Sequence, residues 1–246
     1  MNTAANDVRL EGVTHTFGRT SALADVTVTV RGDAITGLIG RNGAGKTTLL
    51  RLMAAHLRQR SGRIEMGGRG VWENPDVTSR VYLARHDGAL FAESRVGVTE
   101  QMHRHLRPRW DGQYFRELLD RFEVPYRRTP RAMSTGQRSA LQAAFALASR
   151  AEMTLLDEIH LGMDAVSRRT LYDEILADYA RHPRGIVISS HLVDEIEPLL
   201  EEVVVLDRGR LLAAGECDAV RESHSPHAHL ASLTDVLVTL TSGGSR

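Results

Sequence analysis

The sequence predicts an α/β fold built on a mostly parallel sheet, and three observations predict it. Short apolar runs alternate with helix-patterned segments through the second half of the chain, which is the pattern of a parallel sheet covered on both faces. A glycine-rich turn follows directly on the apolar run Ile35 to Ile39 and opens a helix-patterned segment. The stretch from His86 to Met133 carries no strand pattern, and its helical segments mark a lobe inserted between strands.

Each element follows from its local pattern. Val8 to Val30 reads as short β-rich stretches, with Val26, Val28 and Val30 alternating with Thr27 and Thr29 at the period of a half-buried strand. Ile35 to Ile39 is a short buried strand. From Lys46 to Leu57, Leu49, Leu50, Leu52 and Met53 recur at helical spacing. The glycines between Gly62 and Gly70 predict turn and hairpin, and Val81 to Leu83 another strand. In the inserted lobe, helices are expected over Thr99 to Leu106 and Gln113 to Phe122, punctuated by Pro108, Pro125 and Pro130. Ser134 is placed to cap a helix running to Ser149. Then come a strand over Met153 to Leu156, a helix over Ala165 to Tyr179, a strand over Ile186 to Ser190, a short helix after His191 and a strand over Val203 to Leu206. Thr241 to Arg246 is rich in glycine and serine and is expected to fray.

Composition narrows the function. With 246 residues, 42% hydrophobic and 25% charged, the chain suits one large domain, alone or with a lobe inserted in it. Lysine plus arginine equals aspartate plus glutamate, 31 against 31, so no nucleic-acid partner is expected. Cys217 is the only cysteine, which excludes an intrachain disulfide and suits a reducing cytoplasm. Met1 to Asp7 shows no secretory signal, and apolar runs such as Gly185 to Ile188 are too short to span a bilayer. A soluble chain is expected, with any membrane role supplied through a partner.

Lys46 is the only lysine, and it closes a phosphate-binding motif. Gly40, Arg41, Asn42, Gly43, Ala44, Gly45, Lys46 and Thr47 fit G-x-x-x-x-G-K-[ST] at every fixed position, with Thr48 continuing into the helix. Glycines let consecutive amides curl around phosphate oxygens, and the helix that follows aims its positive end at the same anion. Lys46 supplies a mobile charge to the outer phosphates, and the Thr47 hydroxyl is a candidate Mg²⁺ ligand. The apolar strand Met153 to Leu156 ends in Asp157 and Glu158, at the carboxyl end where parallel-sheet sites gather. Asp157 is a candidate metal ligand and Glu158 a candidate general base, although a strand end with solvated acids has the same pattern. His191 is open to two roles, a γ-phosphate sensor or a helix cap.

Between these motifs lies Met133-Ser134-Thr135-Gly136-Gln137, which resembles the signature motif of the ATP-binding cassette (ABC) ATPases, usually L-S-G-G-Q. The order of phosphate loop, helical insertion, signature, acidic strand end, Leu161-Gly162-Met163-Asp164 and His191 resembles that family from about Val8 to about Glu216. The resemblance implies a P-loop NTPase core with an N-terminal antiparallel β subdomain and an inserted α-helical subdomain. It places an ATPase domain at 8–225, the insertion at about 87–150 and a C-terminal extension at 226–246. It implies ATP and Mg²⁺ as ligands, with Phe17 stacking on adenine in place of the usual tyrosine, or else serving as a core or turn aromatic. Ser134, Gly136 and Gln137 are implied to cap the γ-phosphate held by a second ATPase subunit, identical or not, and Asp164 to sit in the loop between the two sites. A separate transmembrane permease subunit and a place at the cytoplasmic face of the membrane complete the expectation, with export as the direction that Ser190 to Glu197 and Leu161 to Arg169 most resemble.

Four departures from the family pattern stand out: Arg85, with His86 next to it, replaces a coupling glutamine, Thr135 the first signature glycine, and Ile159 and His160 the usual proline and threonine. Arginine neither accepts a hydrogen bond nor ligates a cation, so the role of that position must change. The alternative function is a soluble ABC-type ATPase acting on nucleic acid or the ribosome, but the chain has neither a second cassette nor a long coiled-coil insertion. A P-loop small-molecule kinase would need an arginine-bearing lid in place of the signature helix.

Overall fold

The computed structural model describes residues 5–88, 91–225 and 230–242. Strands β1 (Val8–Phe17) and β2 (Thr20–Val30) form one long antiparallel hairpin from Val8 opposite Val30 to Phe17 opposite Thr20, where the pattern predicts short stretches. β3 (Ile35–Gly40) is buried at every position and runs into helix α1 (Lys46–Met53). β4 (Ser61–Met66) and β5 (Arg69–Gly70) make the expected hairpin. The single turn α2 (Pro75–Thr78) leads to β6 (Val81–Arg85). The inserted lobe carries α3 (Val96–Leu106) and α4 (Gly112–Arg121), followed by α5 (Thr135–Ala148). Then β7 (Met153–Asp157), α6 (Ala165–Arg181), β8 (Gly185–Ser190), α7 (Val193–Ile196) and β9 (Glu202–Asp207) alternate as the pattern predicts. β10 (Arg210–Glu216), α8 (Cys217–Ser223) and α9 (Leu233–Ser242) follow, and the sequence did not predict these. Of the segment expected to fray, Thr241 and Ser242 belong to α9, and 243–246 lie outside the described residues.

Helix α1 stops at Met53, short of the expected Leu57, and the backbone shows why. Ala55 adopts a left-handed φ of 55°. The Ala55 amide then donates to Leu52 O at 3.0 Å and the His56 amide to Arg51 O at 2.8 Å, the paired bonds that close a helix C-terminus.

Two sheets result. A four-stranded antiparallel sheet has the order β2-β1-β4-β5, and a six-stranded sheet has the order β10-β9-β3-β8-β7-β6. The second is parallel from β9 through β6, with only β10 antiparallel. Its central strands serve two cores by strict alternation. Ile39, Leu156, Ile188 and Val205 face the core shared with α5 and the lobe. Leu38, Leu155, Val187 and Val204 face the core shared with α1 and the antiparallel sheet. Each fully buried side chain of this size contributes roughly 1.5–3 kcal/mol. In the first core, the ring of Phe145 on α5 lies 4.6 Å from Phe115 on α4 and 4.3 Å from His103 on α3, which seats the lobe on α5. Among the described residues no helix is long and apolar enough to cross a membrane.

Candidate active site

Strand register brings the site together. Parallel pairing sets Arg85 of β6 beside Asp157 of β7, and Asp157 beside Ser189 of β8. Ser190 pairs in turn with Ile39, one residue before the loop that leaves β3. The carboxyl ends of four parallel strands therefore converge on the 40–47 loop, the place where open α/β sheets bind ligands.

The loop needs its glycines. Gly43 and Gly45 adopt φ values of 79° and 105°. A Cβ at Gly45 would sit 2.6 Å from Ala22 O, and one at Gly40 would collide with Leu206 O. Around Gly43 a Cβ would meet open space, so this turn faces outward beside exposed Arg41 and Asn42. Buried Ala44 holds the turn to the sheet by accepting from Gly209 N at 2.9 Å. Thr47 and Thr48 lie half-buried in the first turn of α1, which carries no acidic residue and leaves its positive end free for an anion.

Lys46 is buried, and its ammonium donates to Gly40 O at 2.7 Å and Arg41 O at 3.3 Å. It also stands 3.6 Å from Glu158 Oε1. The other Glu158 oxygen, Oε2, lies 2.7 Å from His191 Nδ1 and 3.3 Å from His160 Nε2, the latter without hydrogen-bond geometry. Glu158 adopts φ 50°, a strained value for a residue with a side chain, and donates its amide to Ser189 O at 3.1 Å. Glu158 is thus the hub of the cluster, and His191 engages it directly. The His160 ring, 1% exposed, is pushed down to about 4 by burial against the pull of the Glu158 carboxylate.

Asp157 sits deeper, and its Oδ1 makes no hydrogen bond. Burial pushes its carboxyl above the usual carboxylate range, while the neighbouring Thr47 and Ser189 hydroxyls and the Arg85 guanidinium pull the other way. Ser189 Oγ is likewise buried without a partner. Two hard oxygen donors, Thr47 and Asp157, next to an orphaned carboxylate oxygen fit a Mg²⁺ ion. Arg85 stands against that fit, its Nε 3.7 Å from Asp157 Oδ2 while its other end pairs with Asp87 at 2.8 Å.

The remaining predicted residues lie outside this cluster. Ser134 and Gln137 form a reciprocal capping box at the start of α5, with bonds of 3.1 and 3.2 Å, and Gln137 Nε2 donates to Glu123 O. Gly136 is packed so closely that a Cβ would sit 2.7 Å from Gly162 O, and the Thr135 methyl fills the space beside Gly162. Asp164 caps α6, accepting from Ser167 N at 2.7 Å. Phe17 ends β1 with its ring 48% exposed and edge-on to His15 at 4.7 Å, so it is not a core aromatic. His160 and Ser189 were not singled out as site residues from the sequence. The signal for Ser189 was its register opposite Asp157, which only the strand order supplies.

Comparison with known proteins agrees with this geometry. Residues 23–160 match the family model described as ABC transporter. The chain is 28% identical over 217 residues to the ABC transporter ATP-binding protein YtrB of Bacillus subtilis (strain 168), covering 88% of this chain and 74% of that protein. It is 30% identical over 221 residues to the daunorubicin resistance ATP-binding protein DrrA3 of Streptomyces coeruleorubidus, covering 87% and 69%. The solved structure of an ATP binding subunit of an ABC transporter superposes with a TM-score of 0.84 at 23% identity over 95% of this chain and 99% of that one, a likeness of fold.

Proposed function

Because the chain belongs to the ABC transporter family as an ATP-binding and ATP-hydrolysing subunit, we propose how its own residues divide the work. Lys46 leaves the carbonyls of Gly40 and Arg41 for the β- and γ-phosphate oxygens, while the amides of 41–48 surround them. Thr47 and Asp157 would hold Mg²⁺, which would supply positive charge against the phosphate oxygens. Glu158 orients the attacking water and accepts its proton, and His191 fixes the direction of that carboxylate through Nδ1. Phe17 offers its exposed face to the adenine ring.

The observation that carries this assignment is the pairing of Glu158 with both Lys46 and His191 at the end of a parallel strand. Replacing Lys46 by alanine removes a charge-assisted bond of about 1.5–3 kcal/mol, so ATP affinity should fall roughly 10- to 100-fold and hydrolysis with it. Unchanged affinity in a nucleotide titration would remove the cradle assignment.

The site needs a second subunit to be complete. Ser134 is an exposed helix N-cap, and its polar partners lie within its own capping box. Head-to-tail pairing would set Ser134, Gly136 and Gln137 on the γ-phosphate of the opposite cradle. A permease subunit is the third component. Large apolar side chains exposed on the lobe, Phe91, Val98, Met102 and Leu106, and the adjoining groove of about 690 Å³ beside Tyr82 and Leu83, support this partner. The chain would then work at the cytoplasmic face of the membrane, with export as the favoured direction.

A further inference from the structure

We propose that Glu158, His160 and His191 form a binding site for a divalent transition-metal ion of the zinc class, and that an ion held there takes Glu158 out of hydrolysis. The ligand atoms of the three residues all lie within 4.8 Å of one another. Glu158 Oε2 is 2.7 Å from His191 Nδ1 and 3.3 Å from His160 Nε2. Tetrahedral zinc bonds of about 2.0–2.2 Å put neighbouring donor atoms roughly 3.3 Å apart, so a small retreat of the His191 ring would set both imidazoles at that distance from Glu158 Oε2.

His160 supplies the second, independent observation. It is 1% exposed, and neither of its ring nitrogens has a hydrogen-bond partner, although Nε2 lies 3.3 Å from Glu158 Oε2. A buried polar group left unpaired is a cost that a ligand removes. The backbone enforces the arrangement: Leu161 N donates to Glu158 O at 3.0 Å and Met163 N to His160 O at 3.2 Å, a tight turn that folds residue 160 back over residue 158. The rings of His160 and His191 are tilted at 49° with centroids 5.4 Å apart, converging on the carboxylate without stacking on each other.

Two imidazoles and one carboxylate select the ion. Mg²⁺ and Ca²⁺ take oxygen donors, whereas imidazole suits zinc, cobalt, nickel and copper. This site is therefore chemically distinct from the oxygen donors of Thr47 and Asp157. The His191 side chain is 41% exposed, which opens a route from solvent and leaves room for water in the remaining coordination position. An ion on Oε2 occupies the oxygen that would face water, while Oε1 stays beside Lys46. Binding of the ion is independent of the ATPase assignment, whereas loss of hydrolysis rests on Glu158 being the base.

The test uses the full chain without nucleotide, titrated with Co²⁺ and followed by its visible absorption, then competed with Zn²⁺. One tetrahedral Co²⁺ per chain is expected, displaced by Zn²⁺. His160→Thr should weaken binding at least about tenfold, and so should His191→Ala, whose exposed position keeps it clear of folding defects. Zn²⁺ should also inhibit ATP hydrolysis in excess Mg²⁺ for the parent chain and not for His160→Thr. Absence of stoichiometric Co²⁺ binding, or binding by both variants as tight as that of the parent chain, overturns the site. Tight binding without inhibition overturns its effect on Glu158 and, with it, the assignment of Glu158 as the base.

Discussion

At the scale of single residues, the departures from the family pattern have direct physical consequences. Arg85 sets a permanent positive charge 3.7 Å from Asp157, the carboxylate proposed to help hold Mg²⁺. Two cations competing for one carboxylate weaken each other. Arg85→Gln should therefore lower the Mg²⁺ concentration needed for half-maximal ATP hydrolysis, which a magnesium titration at saturating ATP reads directly. An unchanged midpoint would mean that the guanidinium swings aside when the site is loaded. The motif 40–47 was legible because its chemistry is local: each residue does its work within a few positions of its neighbours. Ser189 and the hub role of Glu158 were not, because they arise from strands far apart in sequence meeting side by side. His160 was visible as a substitution but not as a site residue, since nothing in the sequence says that it folds back over Glu158.

At the scale of elements, the lobe and the sheet are joined by buried polar groups that no periodicity predicts. Asp178 on α6 is fully buried and held by Arg150 and by Arg184 at 2.6 Å, while Arg150 also reaches Asp111, the N-cap of α4, at 2.8 Å. Asp178→Ala leaves two guanidinium groups without their shared partner and should cost about 3–5 kcal/mol in denaturant unfolding. His103 gives the lobe a pH dependence. Burial against Phe145 lowers its pKa below the usual 6.5, so the folded ring stays neutral where the unfolded one takes up a proton. The unfolded state then binds more protons, and stability present above pH 6.5 is lost as pH falls below it. His103→Leu should flatten the decline of the unfolding midpoint between pH 7 and 5.5. An identical slope would place the sensitivity in His56 and His160, whose pKa values burial also lowers. The central strands and α5 were legible because both are apolar runs of the right length. By contrast, α9 is rich in valine and threonine, poor helix formers, and is helical because Leu233 and Val236 bury against the end of the fold.

At the scale of the whole molecule, the proposed function gives one chain two halves of different sites. The cradle, Asp157, Glu158 and His191 converge at the carboxyl ends of the parallel strands, while Ser134 is an exposed N-cap whose side chain bonds only within its own capping box. Parallel order in the sheet was legible from the alternation of elements. The antiparallel partner β10 was not, since its half-buried edge carries too little pattern to separate it from a loop. On the proposed reading, hydrolysis depends on Glu158 and pairing depends on bound ATP. Glu158→Gln keeps the size of the side chain and its contact with His191 while removing the basic oxygen. The most direct measurement is ATP hydrolysis by this variant, alongside its ATP-dependent assembly in solution. Hydrolysis should fall on the order of 100-fold or more, with ATP still bound and a dimer trapped. Hydrolysis at the parent rate would contradict the account.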